Sequence, residues 1–190
     1  MVVSGISRDT ACTFSSLSLS LGRKREREKE REREREMQLG AQAFRDNHRI
    51  AVEDEALAEQ LWDKGGLCHI CADLRYNGNP PVGLNSNIRF YRYSAGQKFS
   101  KHVDGSYQLA SGAETGYTLL VYLNGGNNKK GGLVGGETMF YGERGERLLA
   151  VTPKCGMALL HLHGEECMEH EGALVRSGCK YILRSDVLFQ

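Results

Sequence analysis

The chain has 190 residues and a mass of 21.1 kDa, the size of one domain plus a tail. Its 25 Lys and Arg nearly balance 24 Asp and Glu, and a net charge of +1 offers no basic excess for a nucleic-acid partner. Hydrophobic residues, at 40%, are enough for a core, but no apolar run of about 18 residues exists, so no membrane-spanning helix is predicted.

Residues 1–36 differ from the rest. They hold 9 basic and 7 acidic side chains, against 16 and 17 in residues 37–190. Ser15–Leu21 reads SSLSLSL, and every position from Arg23 to Glu36 is charged. Such a run has no apolar surface to bury, which predicts a disordered tail. Its alternating signs put like charges at i,i+4 and opposite charges at i,i+3, so helix gains and losses cancel. A repeating CT dinucleotide encodes Ser-Leu, and a repeating GA encodes Arg-Glu. Both products stand side by side here, which points to translated leader sequence with Met37 as the start. An organelle-targeting peptide is the rival reading, although such peptides are poor in acids and this run holds six Glu. The folded domain is expected over 37–190.

Within it, Asp54–Asp63 (DEALAEQLWD) predicts a helix. Ala56, Leu57, Leu61 and Trp62 recur at helical spacing, acids open the segment, and Lys64-Gly65-Gly66 closes it. From Asn87 the pattern changes to short segments rich in β-branched, aromatic and aliphatic residues: NIRFYRY, YTLLVYL, GETMFY, LLAV, GMALLHLH and KYILRSDVLF. Gly, Asn and charged clusters separate them, and 23 Gly against 3 Pro suit tight turns. The expectation is a mainly β (α+β) fold, a sandwich or barrel with a flanking helix. Of the six cysteines only Cys68 and Cys71 form a close pair. Without a second CxxC or a βαβ pattern they are expected to be ordinary packing thiols in a reducing compartment.

Six histidines carry the chemistry. His102-Val103-Asp104 is an H-x-D, which in an extended chain turns an imidazole and a carboxylate to one side. A third donor from a distant strand would complete a facial triad for non-haem Fe(II), with open positions for a co-substrate and oxygen. His161, His163 and His170 are the candidates. His161 and His163 lie within an apolar run, where histidines are more often hydrogen-bonded core residues, whereas His170 follows a polar turn and is read as opening a hairpin into the last strand. Lys180 follows ten residues later, and Lys180, Ile182 and Arg184 share one strand face. Either cation could hold an anionic co-substrate beside the metal; the bland alternative is a pair of surface cations guarding an edge strand.

At these residues the chain resembles the 2-oxoglutarate- and Fe(II)-dependent dioxygenases, in their prolyl 4-hydroxylase-like, plant-type branch. The likeness spans roughly 42–190 and rests on NIRFYRYSAGQKFSKHVD, YTLLVYLN, GGETMFY and GMALLHLHGEECMEHEGALVRSGCKYILRSDVLF. It implies a double-stranded β-helix, or jelly roll, with His102, Asp104 and His170 as catalytic iron ligands. Lys180 would bind the distal carboxylate of 2-oxoglutarate. Tyr93, Tyr122 and Thr138 would line the co-substrate pocket, and Arg184 would support Lys180 or face a substrate. Fe(II), 2-oxoglutarate and L-ascorbate are the implied cofactors, and O2 is the other co-substrate.

The implied activity couples decarboxylation of 2-oxoglutarate to hydroxylation of a substrate C–H, with peptidyl proline one option among protein and small-molecule substrates. Relatives carry a further helix and strand before the region matching Phe44-Arg45-Asp46-Asn47. Their loss would uncover one sheet face, and an inactive jelly roll with a binding or regulatory role is the alternative function. No membrane or nucleic-acid partner is expected, and the cytoplasm is the expected location.

Overall fold

The computed structural model describes residues 43–125 and 132–190; the tail predicted over 1–36 lies outside them. The predicted helix forms, but in two parts: α1 (Glu55–Glu59), and a π-helical turn over Gln60–Lys64. Asp54 caps α1 by accepting the Leu57 amide at 2.9 Å, which satisfies one of the donors that a helix start leaves without an internal partner. Its inward face is Leu57, Ala58, Leu61 and Trp62; Ala56, expected on that face, is exposed. A short second helix, α2 (Leu67–Ile70), encloses the Cys68–Cys71 pair. All five cysteines among the described residues are free thiols.

Two strands precede the β region that begins at Asn87: β1 (His48–Glu53) and β2 (Pro81–Leu84). The sequence did not predict them, because β1 is exposed at all six positions and so lacks the alternation that marks a half-buried strand. Then follow β3 (Asn87–Ser94), β4 (Phe99–His102), β5 (Glu114–Tyr122), β6 (Val134–Gly135), β7 (Thr138–Tyr141) and β8 (Arg147–Val151). The last four are β9 (Ala158–Leu162), β10 (His170–Gly172), β11 (Val175–Ser177) and β12 (Cys179–Phe189).

The main sheet runs β1-β3-β12-β5-β9, with β2 also on β12; the smaller one runs β4-β10-β7-β8; β11 and β6 form a separate pair. Every pairing is antiparallel. This is a jelly roll, as expected. One detail differs. β10 and β12 do not form a hairpin: β10 pairs β4 and β7 in the small sheet, while β12 lies between β3 and β5 in the large one. The chain between them crosses from sheet to sheet, so the edge-strand reading of Lys180 and Arg184 does not hold.

Strand period sorts the side chains of the main sheet onto two faces. Leu119 on β5, with Leu183 and Val187 on β12, faces outward and packs with Ala58, Leu67 and Cys71 of the helices. Leu120, Tyr122 and Ile182 face inward with Tyr91, Tyr93 and Val175. The helices cover only part of the outer face. Ile50 of β1 stays 66% exposed.

Leu119→Ala should lower unfolding free energy by about 2–5 kcal/mol, because it empties a fully enclosed site between sheet and helices. Leu148→Ala, at a side chain more than half exposed, should stay within about 0.5 kcal/mol. Urea unfolding of both variants checks this.

Candidate metal centre and its cavity

The register of the small sheet brings distant residues together. His102 closes β4 and His170 opens β10, and the two are direct cross-strand partners. Their ring centroids are 4.2 Å apart. Asp104 lies just beyond β4, where its carbonyl accepts the Gly164 amide at 2.9 Å and its amide donates to the Cys167 sulfur at 3.2 Å. Those two bonds hold the carboxylate beside the rings. His102 Nε2 is 3.8 Å from Asp104 Oδ1, and His170 Nε2 is 3.6 Å from Oδ2.

Both rings turn the same way for the same reason. His102 Nδ1 bonds the Ser100 carbonyl at 2.8 Å and His170 Nδ1 bonds the Met168 carbonyl at 2.9 Å. A carbonyl accepts only from N–H, so the proton of each neutral ring sits on Nδ1 and the Nε2 lone pair faces Asp104. Phe99 stacks on His102 at 3.7 Å between centroids and fixes its plane.

This set fits a divalent cation. Two imidazoles and one carboxylate suit Fe(II) while leaving other positions open. Burial, and then the neighbouring His170, lower His102 to about 4, so it is neutral near pH 7. Burial acts to lower His170 as well, but Asp104, the Cys167 sulfur and the Met168 carbonyl together lift it to about 9. The Asp104 carboxylate thus favours a positive charge at His170, and a metal cation can supply that charge instead.

The trio lines one end of a cavity between the sheets. Along its β12 wall stand Lys180, Ile182 and Arg184, and Tyr93 and Thr138 also line it, whereas Tyr122, expected there, does not. Lys180 is 2% exposed and its ammonium donates to the Gly136 carbonyl. Its nitrogen is 5.6 Å from the Tyr93 ring centre and 5.5 Å from that of Tyr122. Tyr122 is held by a 2.7 Å hydrogen bond to the Thr138 hydroxyl. Gly136 has a positive φ of 72°, and a Cβ there would come 3.1 Å from Lys180 Cδ, so glycine lets the lysine stem lie against the backbone.

Comparison with known proteins decides the family. The sequence profile of the 2OG-Fe(II) oxygenase superfamily matches residues 88–185, just over half of the chain, from β3 into β12. The chain belongs to the 2OG-Fe(II) oxygenase superfamily. It is therefore an oxidoreductase of the dioxygenase type, with Fe(II) as metal and 2-oxoglutarate and O2 as co-substrates.

Solved structures share the fold. The viral collagen prolyl hydroxylase of Paramecium Bursaria Chlorella virus-1, in its 2OG complex, is 20% identical over 80% of this chain and 84% of that one, at a TM-score of 0.51. The Trichoplax adhaerens prolyl hydroxylase bound to a hypoxia inducible factor peptide is 17% identical over 78% and 65%, at 0.55. A Pseudomonas putida prolyl-4-hydroxylase is 18% identical over 76% and 70%, at 0.53. No curated protein matches significantly.

In this oxygenase Arg184 sits at the metal end of the cavity. Its guanidinium donates to Asp104 Oδ2 at 3.0 Å and to the Thr118 hydroxyl at 3.1 Å, and its Nε is 3.6 Å from Asp186 Oδ1. Asp186 is paired with Arg89 and accepts from the Tyr107 hydroxyl at 3.3 Å. Thr118 donates its one hydroxyl proton to Asp104 Oδ2 at 2.7 Å, so the 2.8 Å contact with His163 Nε2 must be donated by the imidazole. Burial alone would raise the Asp104 carboxyl, but His170 and Arg184 hold it well below the usual carboxylate range.

Sequence reasoning missed Thr118, Asp186 and Arg89. The signal was parity. Thr118 alternates with the inward Leu120 and Tyr122, and Asp186 continues the Lys180, Ile182, Arg184 series, so both polar groups were due inside. Arg89 alternates in the same way with the inward Tyr91 and Tyr93, but its partner depends on the β3–β12 register that sets it opposite Arg184 and beside Asp186.

Arg184→Gln should destabilise the fold by about 3 kcal/mol or more, because it strips the cation from two buried carboxylates. Denaturant unfolding measures it, and the loss should shrink when Asp186 is changed to Asn in the same chain.

Proposed function

We propose that this oxygenase holds Fe(II) through His102, Asp104 and His170 and seats 2-oxoglutarate along the inward face of β12, with the distal carboxylate on Lys180. One observation carries the reading: a fully buried ammonium stands in the same cavity as the ligand trio, and among the described residues no carboxylate pairs with it. Buried charges need partners, and a dicarboxylate in that cavity supplies one. Fe(II) with 2-oxoglutarate and O2 supplies oxidative decarboxylation to succinate and CO2, coupled to placing one oxygen atom in a substrate C–H bond.

The protein's own residues position and exclude. The Nδ1 bonds of His102 and His170 keep their Nε2 atoms on the metal side. Thr118 and Arg184 bind Asp104 Oδ2 and leave Oδ1 as the ligand atom. Arg184 is thereby engaged with carboxylates of the protein, which favours Lys180 as the co-substrate anchor. Tyr93 and Ile182 keep water from the ammonium, Thr138 adds a hydroxyl to the cavity wall, and Tyr122 stands behind Thr138 and holds it by its hydrogen bond.

The substrate proposed first is peptidyl proline, on the strength of the fold neighbours named as prolyl hydroxylases. L-ascorbate is the proposed reductant that keeps the metal ferrous. The test is succinate release by the purified full chain with Fe(II), ascorbate, 2-oxoglutarate and a panel of proline-containing peptides. A peptide product heavier by one oxygen supports the reading. Turnover should stop on chelation and return with Fe(II), and Asp104→Ala should abolish it; succinate formation unchanged in Asp104→Ala would overturn the ligand assignment.

Lys180→Ala breaks a buried charge pair at a cost of about 2–5 kcal/mol. At 1.4 kcal/mol per tenfold, 2-oxoglutarate should bind roughly 30-fold more weakly or worse, and Arg184→Ala should affect it less.

A pH dependence follows as well. Burial lowers the Lys180 ammonium to about 7 despite the opposing charge of Glu137. The protonated form is the one that binds, so affinity for 2-oxoglutarate should be full below pH 7. Above it, affinity should fall by roughly tenfold per pH unit, since each unit removes another tenfold of the charged form. Lys180→Arg keeps the charge and should flatten that slope in a binding titration from pH 6 to 9.

A further inference from the structure

The main sheet ends in a strand with an open side. β1 pairs β3 along one edge, and among the described residues no strand lies along the other. The pairing runs without a bulge from His48↔Arg92 to Glu53↔Asn87, and all six positions are exposed. Edge strands are commonly blunted by a lysine, a proline or a bulge that stops further pairing. HRIAVE has none of the three, and it presents Ile50 and Val52 at 66% and 37% exposure.

Ladder geometry tells which backbone groups face the open edge. Asp54 follows Glu53 in the register, opposite Ser86, and its amide donates to the Ser86 carbonyl at 2.9 Å. Hydrogen-bonded and non-hydrogen-bonded pairs alternate along an antiparallel ladder, so His48, Ile50 and Val52 are the residues that bond β3. The amides and carbonyls of Arg49, Ala51 and Glu53 therefore point to the open edge. Side chains alternate too. Ile50 and Val52 share the outer face with their β3 partners Phe90 and Ile88. Arg49, Ala51 and Glu53 take the inner face, opposite Tyr91, Arg89 and Asn87.

We propose that this edge pairs with the same edge of a second copy of the chain, antiparallel, about a two-fold axis through Ala51. An antiparallel ladder sets edge-facing residues opposite edge-facing residues, which excludes an axis between two residues. The axis through Ala51 sets Arg49 opposite Glu53 of the second copy, Ile50 opposite Val52, and Ala51 opposite itself. Moving the axis to Ile50 sets Arg49 against Ala51, and moving it to Val52 sets Glu53 against Ala51, so either shift loses both charge pairs. The strand is thus its own complement: cation, apolar, alanine, apolar, anion. Asp54 is still extended, with φ −143°, and continues the match opposite His48.

Both faces of the sheet contribute. Opposite charges meet on the inner face, and β-branched side chains meet on the outer face, in the closer, non-hydrogen-bonded pairs. The Glu53 carboxylate is already held at the edge by the Ser86 hydroxyl and the Asn87 side-chain amide. The product is one continuous sheet with the inner faces of both copies on one side. A single strand pair is small for a protein interface, so the association is reversible and depends on concentration.

The test is sedimentation velocity of the full chain from about 1 to 200 µM, a span set around a micromolar constant. Wild type should move from the 21.1 kDa monomer towards twice that mass as concentration rises. Arg49→Glu and Glu53→Arg each create like-charge pairs, felt twice because of the two-fold, and should weaken the dimer by about tenfold or more. An equimolar mixture of the two variants restores both charge pairs, and its dimer should return to near wild-type strength. That recovery also shows that both variants fold. Amide exchange at Arg49, Ala51 and Glu53 should slow as wild-type concentration rises.

A chain that stays monomeric across the range overturns the proposal. So does a dimer that both variants form as well as wild type, because another surface then holds it, and so does a mixture no stronger than the variants alone. Slow exchange at these amides in a monomer would show the edge covered from within the chain, which also overturns it.

Discussion

A carboxylate buried between two sheets is the constraint around which this protein is organised. Asp104 is 8% exposed, and an ionised carboxylate in that setting survives only with charge and hydrogen bonds around it. The surroundings come from five segments of chain: His102 from β4, Thr118 from β5, His161 from β9, His170 from β10 and Arg184 from β12. Every one of them lies on the cavity side of its strand. The fold brings these strands together, but the carboxylate decides which side chains can sit where they meet. An apolar residue at 118 or 184 would leave Asp104 short of a donor, and the penalty would fall on the folded state as well as on metal binding.

The two sheets divide the work. The small sheet supplies His102 and His170 as direct cross-strand partners, so their spacing is fixed by ladder hydrogen bonds rather than by loops. The main sheet supplies Lys180 and Arg184 from one strand, two alternations apart, which sets the proposed co-substrate anchor and the carboxylate clamp about 13 Å from each other along β12. The clamp continues behind the cavity. Arg184 bridges to Asp186, and Asp186 is tied to Arg89 on β3 and to Tyr107, so positive and negative groups alternate inward from the metal end. Such a network is costly to build and stiff once built, which suits a site whose ligand geometry must survive turnover.

Much of this was legible in the sequence, and for identifiable reasons. The H-x-D and the Lys180–Arg184 face are both readings of period two, which holds wherever a strand is half-buried. Reading failed where period two carried no contrast. β1 is exposed at every position and so gives no alternation. The placing of His170 failed for another reason. A polar turn followed by a strand looks like a hairpin, but whether a chain turns back in its own sheet or crosses to the other depends on which edges are free. Here β4 and β7 flank β10, while β3 and β5 flank β12. His163 shows the same limit on a smaller scale. It shares an apolar run with His161, yet its partners Thr118 and Thr115 come from β5, and only the tertiary register sets it behind Asp104 rather than beside the metal.

That alternation also couples the core to the chemistry. Leu119 and Leu183 face the helices, while their chain neighbours Thr118, Leu120, Ile182 and Arg184 face the cavity. A strand cannot shift its outward side chains without carrying its inward ones, because both hang from the same backbone. The helix-side core therefore fixes the depth at which Thr118 and Arg184 meet Asp104, and interiors packed to crystal-like density transmit small shifts rather than absorb them. Lys180 is held more locally. Its stem lies against Gly136, and its ammonium bonds the carbonyl of that glycine, a residue just beyond the β6–β11 pair rather than in either large sheet. The Asp104 end of the cavity thus depends on the packing of the main sheet against its helices, whereas the Lys180 end depends on a turn whose backbone only glycine adopts without strain.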